Sequence, residues 1–261
     1  PFIKKKDSEG KKRILLGKRG KKQEEGIIAV EEGKRDVINE AFRVVRTNLV
    51  FMIGNKDGRN VSIITSYNPG SGKSFLAINM GISLAIKKGK VLIIDTDLRR
   101  GSTSAYINSP EEGLSDYLAA RTNDIEHIIV KGTLHPNLDI IPIGTMPPNP
   151  TELLLGERMQ DLISSVRGKY DYVFLDCPPV EIVADTTIVE KLADRTIFII
   201  RVGLLERSML TQLEQDYQTG KYKNMAVLIN GAERGGRYGS RYGYRYGYSK
   251  DGEYHYGSKK K

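Results

Sequence analysis

Six short apolar runs recur along the middle of the chain, and their pattern predicts its fold. They lie at residues 61–66, 91–95, 138–143, 172–176, 196–201 and 225–230. Successive positions within each run are apolar, as in strands buried on both faces, and segments of helical character separate the runs. Helix-length crossovers between such strands predict a doubly wound α/β fold, with a mainly parallel sheet and helices on both faces. Ligands are expected just beyond the strands, because their carboxyl ends share one edge of the sheet.

A helix is predicted ahead of the first run. In DVINEAFRVVRTNLVFMI, apolar residues recur at helical spacing after Asp36, whose carboxylate is suited to cap the first turn. The residues before this helix are charged and dotted with glycine, which is typical of a linker. We therefore expect a basic linker over residues 1–35, one globular domain over 36–234 and a flexible tail over 235–261.

The net charge of +9 is concentrated at the two ends of the chain. Residues 1–35 carry +6 and residues 235–261 carry +5, whereas the part between them carries −2. A basic groove for nucleic acid is therefore not expected in the globular body. The longest uncharged run of that body is shorter than the ~20 apolar residues of a membrane helix, so no membrane span is expected within the chain. The single cysteine, Cys177, fits a reducing compartment.

A glycine-rich stretch, SYNPGSGKSFLAINM, follows the first apolar run directly. Gly70 and Gly72 let the backbone turn its N–H groups toward phosphate oxygens, Lys73 supplies a point charge and the Ser74 hydroxyl can bind Mg²⁺. The stretch predicts nucleotide binding on a fold of the P-loop NTPase type, although the strict motif has glycine at the position of Tyr67. The candidate nucleotide-binding residues in this stretch are Gly70, Ser71, Gly72, Lys73, Ser74 and Phe75.

Acidic residues end two further runs, in VLIIDTDLRRG and YVFLDCPPV. A Mg²⁺ ion held by a phosphate-loop serine needs a carboxylate from a neighbouring strand, and Asp176 fits that role. Asp95 and Asp97 are then a surplus pair, suited to a base that activates the acceptor or to a second metal contact. Each aspartate alone could cap a following helix, but three at strand ends that face one phosphate loop favour a site.

The last 25 residues, RYGSRYGYRYGYSKDGEYHYGSKKK, contain half of the 14 tyrosines in the chain. These are Tyr238, Tyr242, Tyr244, Tyr246, Tyr248, Tyr254 and Tyr256. No Leu, Ile or Val accompanies them, so this segment lacks the residues from which a core is built. The tyrosines are therefore expected to be displayed to a partner.

Taken in order, these motifs resemble one known family. PGSGKS, VLIIDTDLRRG and YVFLDCPP look like the Walker A, A′ and B boxes in the cytoplasmic catalytic domain of the bacterial tyrosine kinases (BY-kinases) of capsule and exopolysaccharide export. The helix EAFRVVRTNL and the tyrosine-rich tail resemble that domain as well, so that the likeness covers the chain from about residue 36 to its end. Related cell-division and partition ATPases carry a signature lysine where this chain has Asn68, which favours the kinase branch. The H-R-D and D-F-G motifs of eukaryotic kinases are missing.

The resemblance implies an ATP- and Mg²⁺-dependent protein-tyrosine kinase that phosphorylates its own tail. By motif position the catalytic set is Lys73, Asp95, Asp97 and Asp176, and the Mg²⁺ ligands are Ser74, Asp95 and Asp176. Asp95 or Asp97 is the base toward the incoming tyrosine, because a hydroxyl with a pKa of ~10 needs a proton acceptor. Asn230, at the end of the last run, is placed to contact the purine. The tail tyrosines are the expected phosphorylation sites.

The resemblance also implies partners. Glu40, Arg43 and Arg46 follow the family pattern E-x-x-R-x-x-R, which implies a ring-like homo-oligomer in which the tail of a neighbouring subunit is the substrate. A membrane-spanning polysaccharide co-polymerase region is expected upstream in the same chain or as a separate protein, at the cytoplasmic face of the inner membrane, with a tyrosine phosphatase as a further partner. The opening at Pro1 with KKK fits a cut just inside a membrane span, and equally an ordinary basic linker. Without the resemblance, the charged triplet would be read as a solvated helix face.

Two other functions stay open from the residues alone. Arg-Tyr-Gly repeats combine cationic charge with stacking rings, as single-strand nucleic-acid binders do, although the slightly acidic body means that no nucleic-acid partner is expected. A nucleotide-gated assembly ATPase of the partition type would use the same phosphate loop without any tyrosine chemistry.

Overall fold

A computed structural model describes residues 13–14, 26–53, 60–180 and 185–232, and its main feature is a seven-stranded sheet. The strands, in chain order, are β1 Arg13–Ile14, β2 Gly26–Ile27, β3 Val61–Thr65, β4 Val91–Asp95, β5 Val130–His135, β6 Leu138–Ile141, β7 Tyr172–Asp176, β8 Arg195–Arg201 and β9 Ala226–Asn230. The helices are α1 Val37–Ile53, α2 Lys73–Ala85, α3 Leu114–Leu118, α4 Pro150–Leu155, α5 Glu157–Arg167, α6 Asp185–Glu190 and α7 Arg207–Gln218, with short 3₁₀ turns at Ser104–Ile107 and Glu126–Ile128.

The order of strands in the sheet is β5-β6-β4-β7-β3-β8-β9, and β1 pairs with β2 in a separate hairpin. All neighbours in the large sheet are parallel except β5, which runs antiparallel to β6 at one edge. The predicted doubly wound, mainly parallel fold is confirmed, and each of the six predicted runs contains a strand. The sequence did not predict β5, in which the exposed Lys131 and Thr133 flank Gly132.

The central strands of the sheet are buried on both faces because helices cover both sides of it. In β3, for example, Ile63 packs with α5 and its neighbours, whereas the next residue, Ile64, packs with α1 and α2. A third, smaller cluster lies under α7, where Phe198 of β8 contacts Tyr67 and Tyr222. The carboxyl ends of the parallel strands are thereby brought to one edge, with the loops that follow them.

The start of α1 is as the sequence predicts. One carboxylate oxygen of Asp36 accepts hydrogen bonds from the backbone N–H groups of Ile38 and Asn39, at 3.0 and 2.9 Å. Residues before the predicted domain boundary at 36 also belong to the packed structure. Ala29 and Val30 are buried, and their N–H groups donate to the side-chain oxygen of Asn79 on α2. The buried amide of Asn79 supplies acceptors that the sequence does not reveal.

In the described part of the chain, no helix combines the length and the apolar character needed to cross a bilayer. The seven tail tyrosines, at residues 238–256, lie outside the described residues. The predicted flexible tail therefore stays a prediction.

Candidate active site

The phosphate loop joins β3 to α2, as its sequence predicts. Gly70 and Gly72 have left-handed backbone conformations, with φ of 75° and 92°, which a side chain would strain. A Cβ atom at Gly72 would also lie 2.5 Å from the side-chain nitrogen of Asn230, so that only glycine fits there. The first helical hydrogen bond runs from the N–H of Leu76 to the carbonyl of Gly72. The loop therefore ends at the N-terminus of α2, where free backbone N–H groups favour binding of phosphate.

Lys73 is the first residue of α2 and is buried, with 9% of its surface exposed. Its ammonium nitrogen lies 3.4 Å from the hydroxyl oxygen of Ser66. Burial lowers the pKa of Lys73, while the charges of Asp176 and Asp97 act in the opposite direction. A largely desolvated cation next to two carboxylates interacts strongly with an incoming phosphate.

Asp95 and Asp176 end neighbouring strands and stand opposite each other in the parallel register. One oxygen of Asp95 accepts hydrogen bonds from the backbone N–H and the hydroxyl of Ser104, both at 2.7 Å. Asp176 accepts from the hydroxyl of Thr103 at 2.6 Å and from that of Ser74. Burial raises the pKa of both carboxyl groups, and the Asp176 charge raises that of Asp95 further. Within residues 60–180 and 185–232, the Oδ1 atom of each is buried without a hydrogen-bond partner.

Asp97 differs from these two acids in its access to the surface. Its exposed fraction is 7%, against 0% for Asp95 and 1% for Asp176. Burial raises the pKa of Asp97, although the charges of Lys73 and Arg100 and hydrogen bonds from two backbone N–H groups oppose that shift. Beside Lys73 and slightly more exposed than the enclosed Asp95, the carboxylate of Asp97 is in the better position to meet an incoming hydroxyl.

The predicted Mg²⁺ ligands fit a cation. Ser74, Asp95 and Asp176 supply hydroxyl and carboxylate oxygens, the ligand atoms that Mg²⁺ prefers, and two buried carboxylate oxygens have no hydrogen-bond partner in the described part of the chain. The described residues contain no cluster of three or more His, Cys, Asp or Glu side chains arranged for a metal. That is compatible with Mg²⁺ bound chiefly through nucleotide phosphates and only one or two carboxylates.

Tyr67 stands where the strict loop motif has glycine, and the structure explains the departure. Its ring is buried and packs edge-to-face on Phe198, with ring centroids 4.8 Å apart. Its hydroxyl donates a 2.9 Å hydrogen bond to the carboxylate of Asp216 on α7, which also accepts from Gln212 and Lys221. The residue that opens the loop is thus anchored to the helix beneath it.

The remaining nucleotide-site predictions occupy different places. The Ser71 hydroxyl donates to the carbonyl of Asn68 at 2.8 Å, within the loop itself. The Phe75 ring contacts Phe42 of α1 edge-to-face at 6.1 Å, so its side chain belongs partly to the core. The side-chain nitrogen of Asn230 donates to the carbonyl of Ser71 at 2.9 Å, which leaves the amide oxygen for the predicted contact with the purine.

One contact to the loop comes from a residue that the sequence did not single out. Arg201, the last residue of β8, donates from Nη1 to the carbonyl oxygen of Gly70 at 2.6 Å. Its partner lies 131 residues away in the sequence, and no motif in the chain joins the two.

The predicted interface triplet lies on α1, where all three of its members make contacts within the chain. Arg43 pairs with Glu40 and donates to the carbonyl of Lys34 at 2.7 Å. Arg46 donates to the carbonyl and the hydroxyl of Ser83 on α2, at 3.0 and 3.2 Å. Arg43 and Arg46 also line a concavity of about 530 Å³ on the surface. The predicted docking of this triplet on a neighbouring subunit stays a prediction.

A phosphate loop after the first strand of a parallel sheet, with carboxylates at the adjacent strand ends, defines a P-loop nucleotide-binding protein. Comparison with known proteins specifies the class. The AAA domain family matches residues 60–219. The tyrosine-protein kinase YwqD of Bacillus subtilis (strain 168) is 33% identical over 218 residues, which cover 83% of this chain and 90% of YwqD. The chain therefore belongs to the bacterial tyrosine-kinase family, and the resemblance seen in its motifs is confirmed.

Solved structures agree with this assignment. The kinase domain of the Escherichia coli tyrosine kinase ETK superposes with a TM-score of 0.71 at 32% identity, covering 85% of this chain and 84% of that domain. The septum site-determining protein MinD of Pyrococcus horikoshii, solved with Mg-ADP, shares the fold at 23% identity with a TM-score of 0.53, over 65% of this chain and 68% of MinD. Against the tyrosine-protein kinase Wzc of Salmonella typhimurium (strain LT2), the identity is 36% over 65% of this chain, which spans only 23% of the length of Wzc.

Proposed function

We propose that the chain transfers the γ-phosphoryl group of ATP to tyrosines in the C-terminal tail of a neighbouring copy of itself. The supporting observation is the position of Asn230. This residue ends β9 at the edge that holds Lys73 and the acids, and its side chain bonds the phosphate loop. In the sequence, the first tail tyrosine follows it by only eight residues. Transfer to tyrosine is the activity after which the relatives are named.

In the proposed reaction the tyrosine oxygen attacks the γ-phosphorus, the bond to the β–γ bridging oxygen breaks and ADP leaves. Lys73 binds the β- and γ-phosphates. Ser74, Asp95 and Asp176 would hold Mg²⁺, which supplies positive charge to the phosphate oxygens. Asp97 accepts the proton of the tyrosine hydroxyl, because it has the greatest exposure of the three acids and its burial-raised pKa makes it a stronger base. Of the two candidates that the sequence leaves open for the base, we propose Asp97.

Chain length alone permits transfer within one chain or between two. A flexible segment of 8 to 26 residues beyond Asn230 spans on the order of 15 to 30 Å, enough for its own site or that of a neighbour. We favour the neighbour because the triplet Glu40, Arg43 and Arg46 matches a docking motif for a ring-like oligomer. Seven phosphates would add about −11 to −14 to the +5 tail, and an anionic tail is repelled by an acidic site. Phosphorylation is therefore proposed to dissolve the oligomer.

The biological setting follows from the family. We propose that the chain regulates the synthesis and export of capsular or extracellular polysaccharide at the cytoplasmic face of the inner membrane. There it acts with a membrane-spanning co-polymerase region, in the same chain or separate, and with a phosphatase that resets the tail.

A mixing experiment tests transfer between copies. Lys73→Met protein, which keeps its tail tyrosines, is incubated with ATP, Mg²⁺ and an active copy whose seven tail tyrosines are Phe. Phosphotyrosine is expected on the Lys73→Met tail, with progressive loss of oligomer in light scattering. No label on that tail, or an oligomer that persists after full modification, would contradict the proposal.

The docking role of the α1 triplet has its own test. Arg43→Ala combined with Arg46→Ala is expected to shift the protein from oligomer to monomer and to slow transfer between copies about tenfold or more, because charged interface contacts are lost. Arg207→Ala combined with Lys191→Ala removes two exposed cations elsewhere and is the matched control. Equal masses for variant and parent in light scattering at several concentrations would show that the triplet does not mediate self-association.

A further inference from the structure

The carbonyl groups of the phosphate loop accept hydrogen bonds from side chains. The Asn68 carbonyl accepts from the hydroxyls of Ser66 and Ser71, both at 2.8 Å. The Ser71 carbonyl accepts from Asn230 at 2.9 Å, and the Gly70 carbonyl accepts from Arg201 at 2.6 Å. The last of these donors is a guanidinium, which makes it the one charged donor in this set.

These bonds bear on phosphate binding through the direction of each peptide group. A peptide whose carbonyl points out of the loop has the next N–H pointing into it, where phosphate oxygens bind. Glycine permits either direction, and no atom of the described residues lies within 4 Å of the place where a Cβ of residue 70 would be. Sterics therefore do not fix the peptide that follows Gly70, whereas the bond from Arg201 does.

The sheet register brings two of these donors, Arg201 and Asn230, together. Arg201 of β8 pairs with Asn230 of β9, and the N–H of Val202 donates to the Asn230 carbonyl at 2.9 Å. Two neighbouring strand ends thus present two donors to two consecutive carbonyls, those of Gly70 and Ser71. Because paired residues of β8 and β9 bond consecutive residues of the loop, the Arg201 contact has a defined geometry although its side chain is partly exposed.

We infer that Arg201 is a positioning residue for nucleotide binding: it holds the Gly70–Ser71 peptide so that the N–H of Ser71 faces the phosphates before the nucleotide arrives. The inference rests on the proposed function only in taking ATP as the ligand. A charge-assisted hydrogen bond of this kind is worth about tenfold or more in an equilibrium constant. The contact acts through the loop, so it should affect binding of the phosphates and not binding of the adenine ring.

The first test uses the full, dephosphorylated chain without nucleotide. Arg201→Met keeps the aliphatic stem and removes the donors, Arg201→Lys keeps the charge and one donor, and Arg207→Met removes an exposed arginine elsewhere. In ¹H–¹⁵N spectra, Arg201→Met is expected to shift or broaden the amide signals of residues 70–73. Arg207→Met should leave them unchanged. A loop spectrum equal to that of the parent in Arg201→Met would overturn the inference.

The second test measures binding of a fluorescent ADP with Mg²⁺, and its displacement by inorganic pyrophosphate, which has no base. Arg201→Met should weaken both ligands by a similar factor of about ten, and Arg201→Lys should recover about threefold of that loss. An unchanged affinity for pyrophosphate, or a lysine variant as weak as the methionine variant, would contradict positioning through the loop.

The two tests separate this inference from the proposed function. If the parent chain fails to bind ADP, the proposed function fails, while the spectra of the nucleotide-free protein still decide the role of Arg201. If Arg201→Met does not give the spectrum of a folded protein, Arg201→Lys is compared with the parent instead. The loop signals of Arg201→Lys are expected to shift, and its affinity for ADP is expected to fall about threefold. Melting temperatures equal to that of the parent within about 2 °C would show that the loss of affinity is not a loss of fold.

Discussion

The two sides of the candidate active site differ in how many of their polar atoms have hydrogen-bond partners within the chain. On the loop side, toward β8 and β9, the carbonyls of Asn68, Gly70 and Ser71 have side-chain donors. On the acidic side, toward β4 and β7, one buried oxygen each of Asp95 and Asp176 has no hydrogen-bond partner among the described residues. The loop is thus held by contacts within the chain, whereas the two acids offer oxygens suited to a cation.

This difference fits the two ligands proposed for the site. A buried carboxylate without a partner is unfavourable, and burial accordingly raises the pKa of both acids. A divalent cation bound with the nucleotide would compensate that charge, and an anionic nucleotide would occupy the N–H groups of the loop. Each of the following changes is expected to act on one side of the site and to spare the other.

Asp97→Asn is expected to have the largest effect, a fall in kcat of about 100-fold or more, because the proton acceptor is lost while the loop is untouched. Burial raises the pKa of Asp97, and a base acts only when deprotonated, so kcat of the parent should rise with pH until Asp97 has lost its proton. The variant should lack that rise. Steady-state phosphotyrosine formation measured across pH checks both statements.

Asp161→Asn, on an exposed position of α5, is the matched control for this change. It should leave kcat and its pH profile unchanged. A kcat for Asp97→Asn within about threefold of the parent, with the pH rise intact, would remove Asp97 from the role of base.

Asp176→Asn acts on the acidic side and is expected to reduce the stabilisation by Mg²⁺ and ADP. At concentrations about 100-fold above Kd, ligand adds about 2.7 kcal/mol to the free energy of unfolding of the parent, and the variant should gain less than half of that. Adding EDTA with ADP should make the two proteins alike. Equal gains for both proteins with Mg²⁺ would contradict the assignment.

The same variant has a pH signature without ligand. The folded pKa of Asp176 is raised above the unfolded value of ~3.9, so the folded state holds a proton that the unfolded state releases. The unfolding free energy should therefore fall as pH rises from that value through the folded pKa. Asp176→Asn should show a smaller fall, which urea titrations at successive pH values measure.

Tyr67→Phe is expected to have the smallest effect, on the loop side. Loss of the bond to Asp216 should lower the free energy of unfolding by about 1–2 kcal/mol and weaken ADP binding several-fold, since the loop opens at this residue. Tyr170→Phe is a matched control, because the Tyr170 hydroxyl donates to Asp139 at 2.8 Å away from the loop. It should lower the free energy of unfolding by a similar amount without loss of ADP affinity. Equal ADP binding by the two variants would show that the Tyr67 hydroxyl does not influence the geometry of the loop.

Local sequence features were enough to predict most of the fold. The parallel strands are continuous apolar runs, so their positions follow from composition, and glycine spacing located the phosphate loop between β3 and α2. Strand β5 was missed because it is an antiparallel edge strand, interrupted by Gly132 and carrying the exposed Lys131 and Thr133. Strand β9 alternates between half-buried and exposed positions as well, but its sequence, AVLIN, is apolar up to its last residue, so it could be recognised.

The missed parts of the candidate site depend on contacts that are distant in the sequence. Tyr67 looks like a defect in the loop motif until its partner, 149 residues away, is known. Arg201 looks like an ordinary charged strand end until the sheet places it beside Gly70. Similarly, the choice between Asp95 and Asp97 as base depends on burial, which two neighbouring acids in one motif do not reveal.

The central claim is that this site phosphorylates tail tyrosines, and one measurement tests it most directly. The purified, dephosphorylated chain is incubated with ATP and Mg²⁺, digested and mapped by mass spectrometry, with Lys73→Met treated in parallel. Phosphate is expected on tyrosines between residues 238 and 256 of the parent and nowhere in the variant. Absence of phosphotyrosine from the parent, equal labelling of the variant, or phosphate confined to tyrosines of the globular body would contradict the account.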